Sequence, residues 1–138
     1  MLQRIFTIDF EGEGRILGHE QYDVPIIEGA LEKNLEKMFS ILENTKTSPS
    51  FFLLASTAEK YPLIVKKIAE KYDIGTHSYN HTLVHMQSVK EFSQDLKKSI
   101  DTIQQLTGKK VNKYRSPGFS LSKPEYIEQL IENGIEID

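Results

Sequence analysis

The amino-acid sequence predicts an α/β domain in which parallel strands alternate with helices. Two patterns point there. Short apolar runs and helix-length amphipathic segments take turns along the chain, and polar clusters directly follow three of the apolar runs. Such alternation implies parallel pairing through right-handed crossovers.

Residues 4–10 form the first strand candidate, with Ile5, Phe6, Ile8 and Phe10 apolar. Residues 28–44 follow as a helix, because Leu31, Leu35, Met38, Phe39 and Leu42 recur at the spacing of one helical face. After a Thr-Ser-Pro-Ser turn, residues 51–55 read as a buried strand. Residues 61–72 place Ile64, Val65, Ile68 and Ala69 on a second helical stripe, and residues 73–76 make a short third strand. Ser88 and Glu91 then form a capping box, in which the serine oxygen accepts from a free amide and the glutamate reaches back. Phe92, Leu96, Ile100, Ile103 and Leu106 give that helix its apolar stripe, and Gly108 suits a left-handed stop. Residues 111–114 are the fourth strand. Ser122 with Glu125 opens a last helix through Ile131, Gly134 stops it, and residues 135–137 are a fifth apolar run. Five strands and four helices make an open sheet or most of a barrel. The final βα unit is never completed, so the chain reads as one domain over residues 1–138, cut short at its C-terminus.

Composition narrows the function. At 138 residues, with 27% charged and 38% hydrophobic residues, the chain has an ordinary globular balance. Its formal charge is −3 and its lysines are scattered, which argues against a nucleic-acid partner, since phosphate binding needs a clustered basic surface. With no cysteine there is no disulfide framework and no thiolate metal site, so any transition metal must be held by His, Asp or Glu. No run of about eighteen apolar residues spans a membrane. The start is too soon interrupted by charge to be a secretory leader, which makes a cytoplasmic location the default expectation.

In parallel α/β folds, ligands gather at the carboxyl ends of the strands. Asp9 and Glu11 follow the first strand, His77 and His81 the third, and Arg115-Ser116-Pro117-Gly118-Phe119 the fourth. All three clusters should therefore open onto one rim. Histidines four apart on a helical turn point the same way and can share a metal ion; two exposed histidines are the plainer account of the same spacing. Asp9 and Glu11 read alone as a solvated strand end, but two histidines on the same rim favour a His-His-carboxylate site. Arg115 is either a surface arginine near Lys109, Lys110 and Lys113 or a cation that orients a carboxylate and lowers its pKa. Phe119 is either a wall of a sugar pocket or core. His19 and His85 are expected to do no chemistry.

These clusters, in this order, resemble the signature motifs of the polysaccharide deacetylase family (the NodB-homology domain, carbohydrate esterase family 4). Thr7-Ile8-Asp9-Phe10-Glu11 resembles the first motif, His77-Ser78-Tyr79-Asn80-His81 the second and Tyr114-Arg115-Ser116-Pro117-Gly118-Phe119-Ser120 the third. The resemblance implies an incomplete (β/α) barrel and a hydrolase that removes N-acetyl, or O-acetyl, groups from amino-sugar polysaccharides. It further implies Asp9 as general base, His77 and His81 as metal ligands and Glu11 as the carboxylate ligand. Arg115 would hold Asp9 in place, and the Gly118 amide would donate to the oxyanion. Many members place an aspartate directly after the base, where this chain has Phe10, so a different metal geometry is expected. The implied cofactor is a divalent metal, zinc first, with cobalt, nickel or manganese as alternatives.

In the family, a histidine from a later motif protonates the leaving amine, and that motif is not in these 138 residues. Little or no turnover is therefore expected of this length alone, and full activity on N-acetylated sugar oligomers without added chain would contradict that. Two other readings stand beside this one: a non-catalytic carbohydrate-binding relative, and a metal-dependent amidase acting on a small amide. An uncovered barrel edge also predicts self-association into a homo-oligomer.

Overall fold

The computed structural model describes residues 5–12, 28–121 and 123–136. Three parallel strands lie side by side in chain order: β1 (Thr7–Phe10), β2 (Ser50–Leu53) and β3 (Asp73–Thr76). Sequential order is what a (β/α) barrel requires, whereas a doubly wound sheet reverses direction at a switch point. The strands are in register through Asp9, Phe52 and Gly75, which lie side by side across the sheet.

Five helices accompany the strands among the described residues: α1 (Ala30–Asn44), α2 (Ala55–Lys60), α3 (Pro62–Lys71), α4 (Val89–Thr107) and α5 (Pro124–Glu132). The stripe expected on α1 buries Leu35, Phe39 and Leu42. The helix expected over residues 61–72 forms as α3, and a further helix, α2, which the sequence did not announce, directly precedes it. Pro62 disfavours a helical conformation at Tyr61, which stands at φ −126°, ψ 57°, so α2 ends there and α3 begins with the proline at its first position. The six residues of α2 carry no period long enough to announce a helix. β2 likewise ends at Leu53 rather than Ala55, because the chain turns into α2 after one extended residue, Leu54.

The α4 helix is capped as expected. Ser88 Oγ accepts from the Glu91 amide, the Glu91 side chain accepts from the Ser88 amide, and Gly108 closes the helix at φ 70°. Its buried face carries Phe92, Leu96, Ile100 and Ile103 together with Ser99. Each such apolar side chain is worth about 1.5–3 kcal/mol of burial. Ser99 is satisfied in the core: its hydroxyl donates to the Leu96 carbonyl and accepts from Thr76 Oγ1 at 2.9 Å. Phe92 meets Tyr114 and Tyr126 edge to face, at 5.8 and 5.2 Å between centroids, which docks α4 on the fourth segment and on α5.

Two expected strands are not formed among the described residues. Residues 111–114 form no strand element but carry a parallel bridge, Thr76 to Tyr114, continuing the order past β3. That approach depends on Gly75, where a side chain would come within 2.9 Å of the Lys113 backbone and of Phe52. Ile135 and Glu136 are not in a strand either, although the Glu136 amide donates to the Asn112 carbonyl. The capping box expected at Ser122 does not describe α5: Lys123 occupies the cap with no side-chain hydrogen bond, and Ser122 lies outside the described residues. Gly134 takes the left-handed conformation after α5, as its position suggested. Arg4, Glu13, His19, Glu20 and Ile137 also lie outside the described residues, and no described helix is long and apolar enough to cross a membrane.

Candidate metal centre

Strand geometry places the two carboxylates. Side chains alternate along an extended chain, so Phe10 enters the core at 6% exposure while Asp9 and Glu11 flank it on the other side. Thr57 of α2 then fixes the turn after β1, its hydroxyl donating to the Glu11 carbonyl at 2.7 Å. Gly12, at φ 82°, leaves room for that contact, since a Cβ there would lie 2.7 Å from Thr57 Cγ2.

The histidines arrive differently from the helical turn that their spacing suggested. Residues 77–83 are an irregular loop after β3, with Ser78 at φ 71° and His81 at φ 62°, both left-handed. Such conformations cost non-glycine residues free energy and need surrounding support. Here the support comes from three sides. The Ala55 and Ser56 amides at the start of α2 donate to the Ser78 and Tyr79 carbonyls, and Ser78 Oγ accepts from the His81 amide. Both carboxylate oxygens of Asp95, on α4, accept from the Tyr79 amide. The loop thus turns both rings inward by its backbone, not by helical periodicity.

Glu11, His77 and His81 meet. Oε1 of Glu11 lies 3.2 Å from His77 Nε2 and 3.1 Å from His81 Nε2, with the two histidine side chains only 3% and 8% exposed. One ligand atom from each residue lies within 4.8 Å of the others, a group that could hold a metal ion. His77 Nδ1 faces the Arg115 carbonyl oxygen at 2.8 Å. A carbonyl only accepts, so Nδ1 carries the proton, and in the neutral ring Nε2 presents its lone pair to Glu11. Two acceptors so close need a proton or a cation between them. The donor set of two imidazoles and a carboxylate fits a divalent ion.

The second pair sits beside this cluster. Arg115 Nη1 donates to Asp9 Oδ1 at 3.0 Å and to Thr7 Oγ1 at 2.8 Å, and the guanidinium lies 4.3 Å over the Phe52 ring. Arg115 therefore pairs with Asp9 and is not the free surface cation of the plainer reading. Gly118 takes φ 58°, ψ 24° in a 3-10 turn, Pro117–Phe119. Phe119 is 79% exposed and so is not core, while His85 is exposed on another 3-10 turn, Val84–Met86. Ser120 links these two turns, accepting from the Val84 amide and donating to the Pro117 carbonyl. Thr57, Asp95 and Phe52 are supporting residues that sequence reasoning missed, and Thr7 is marked in the sequence only by its place in the first motif; each works across elements, which a local pattern does not reveal.

Without a bound cation a proton must lie between Oε1 and the facing ring nitrogens, and the hydrogen bonds so made with His77, then His81, hold the Glu11 carboxyl at about 2, down from 4.5, against the opposing effect of burial. A carboxyl depressed in the fold contributes stability above its unfolded value, and that contribution is lost as pH falls through the folded value. In metal-free protein, the urea midpoint should therefore fall more steeply from pH 4.5 to 2 in the wild type than in Glu11→Gln. Equal slopes would contradict the pairing.

Polar ligand atoms gathered where parallel strands end define the class, a (β/α)-barrel-type domain with a candidate metal site on its rim. The chain belongs to the polysaccharide deacetylase family, which residues 23–137 match. The match begins after Asp9 and Glu11, so their placement rests on geometry. An uncharacterized protein of Bacillus subtilis, YlxY, is 33% identical over 90 residues, 64% of this chain and 28% of that protein. A peptidoglycan-N-acetylglucosamine deacetylase of Bacillus cereus is 34% identical over 73 residues, 52% of this chain and 26% of that protein. The chain thus spans about a quarter of the length of these curated relatives. The crystal structure of a CE4-family pseudoenzyme from Bacillus anthracis superposes with a TM-score of 0.78 at 20% identity, over 96% of this chain and 41% of that one. That likeness establishes the fold.

Proposed function

We propose that this chain supplies the metal-holding, base-bearing half of a metal-dependent deacetylase site acting on N-acetylated amino-sugar polysaccharides. One observation carries the reading: Glu11 Oε1, His77 Nε2 and His81 Nε2 converge, while the proton of His77 is committed to Nδ1. Family membership and the deacetylase name of the Bacillus cereus relative support the substrate class.

His77, His81 and Glu11 would hold a divalent cation, zinc first. Such an ion supplies Lewis-acid polarisation of an acyl oxygen and brings the pKa of water down to about 7. Asp9, steadied by Arg115, takes the proton from the attacking water. The Gly118 amide donates to the acyl oxygen as charge develops there, a contact typically worth about 10²–10³ in rate. Thr7 and Phe52 hold the guanidinium and so keep Asp9 aimed. The departing amine still needs a proton.

The test is amine release from N-acetylglucosamine oligomers by the protein at its natural length, zinc-loaded and after chelation. Loss on chelation and recovery with zinc is expected. Release indifferent to chelation, or hydrolysis of small amides only, would overturn the proposal. A non-catalytic carbohydrate-binding role has one observation in its favour, since a pseudoenzyme is among the similar structures. Tight binding of the same oligomers without amine release would select it.

A further inference from the structure

We infer that Asp95, on the outer helix α4, is a positioning residue that sets the loop bringing His77 and His81 together. The inference deepens the metal-site reading and rests on it. Asp95 stands apart from the ligand cluster and is mostly buried, on a helix whose remaining inward positions are apolar apart from Ser99. Both of its oxygens accept from the Tyr79 amide, at 3.1 and 3.2 Å, and the Asn80 amide also bonds to it. Those two amides are the ones between the left-handed Ser78 and His81.

That placement matters physically. The histidines stand four positions apart, and the loop holds two left-handed non-glycine positions, each disfavoured by roughly 1 kcal/mol. Within the loop, the Ser78 hydroxyl favours that path by accepting from the His81 amide, but it does not reach the two amides in the middle. The partly buried Asp95 carboxylate is aimed at those two amides; leaving either donor without an acceptor is costly, and a charged acceptor bonds more strongly than a neutral one. One turn further along α4, Ser99 accepts from Thr76 Oγ1 at the end of β3, so the helix grips the strand and the loop at adjacent points. The groups facing Asp95 are these amides and Lys98 on its own helix; burial raises its pKa against their pull.

The experiment measures zinc affinity by equilibrium dialysis and amide hydrogen exchange at Tyr79 and Asn80 in metal-free protein, under conditions where circular dichroism shows each variant folded. Asp95→Ala should weaken zinc binding about 10–100-fold, the usual cost of losing an outer partner of a metal ligand, and should speed exchange at both amides. Asp95→Asn, which keeps one acceptor, should fall between the two. Phe92→Leu, a core change on the same helix away from the loop, is the control for general loosening and should leave affinity within about threefold. Unchanged affinity in Asp95→Ala, or an equal loss in Phe92→Leu, would overturn the inference. If wild-type protein binds no zinc, the metal-site reading itself fails, a separate result.

Discussion

His77→Ala is expected to abolish stoichiometric zinc binding and also to destabilise the metal-free protein by about 1–3 kcal/mol. The two losses have separate causes. Nε2 is one of the three converging ligand atoms, and removing a direct ligand should exceed the roughly 10–100-fold that outer partners cost. Nδ1–H is the donor to the Arg115 carbonyl, and the imidazole is almost wholly buried, so alanine leaves an orphaned acceptor and a void. His81→Ala should share the first loss but less of the second, because the carbonyl anchor belongs to His77. Elemental analysis of zinc-reconstituted protein reads the first effect, and urea unfolding after chelation reads the second. Retention of one equivalent of zinc by His77→Ala would remove the ligand assignment.

The contrast between these histidines shows which parts of the site were readable in advance. Asp9, Glu11, His77, His81 and Arg115 were legible because strand ends in parallel folds converge, so polar residues directly after apolar runs fall on one rim. Glu11, not residue 10, reaches the histidines, because side chains alternate along an extended chain and Phe10 turns into the core. The path of the histidine loop was not legible. Its spacing of four reads as a helical turn, and the deciding groups, Asp95 on α4 and the first amides of α2, lie elsewhere in the sequence. Residues 111–114 and 135–136 show a related limit. Strand character is a property of pairing, and an apolar run reveals that it will be buried without revealing how many partners it will find.

Asp9→Asn should lower kcat/KM for N-acetylglucosamine oligomers by about 10²–10⁴ in the protein at its natural length, with zinc content unchanged. Asparagine keeps the shape and an oxygen that can still accept from Arg115 Nη1, so the guanidinium stays bridged to Thr7 and stacked on Phe52. What is lost is the capacity to take a proton. Metal content should not follow, because Asp9 is outside the Glu11, His77 and His81 cluster. Arg115→Ala makes the complementary change, leaving the carboxylate in place without the cation that orients it. It also removes a ring-stacked side chain, so it should lower both turnover and stability. A matched loss of zinc in Asp9→Asn would make Asp9 a ligand and not a base. A rate within threefold of wild type would mean that some other group takes the proton, and the pairing of Arg115 with Asp9 would then be structural alone.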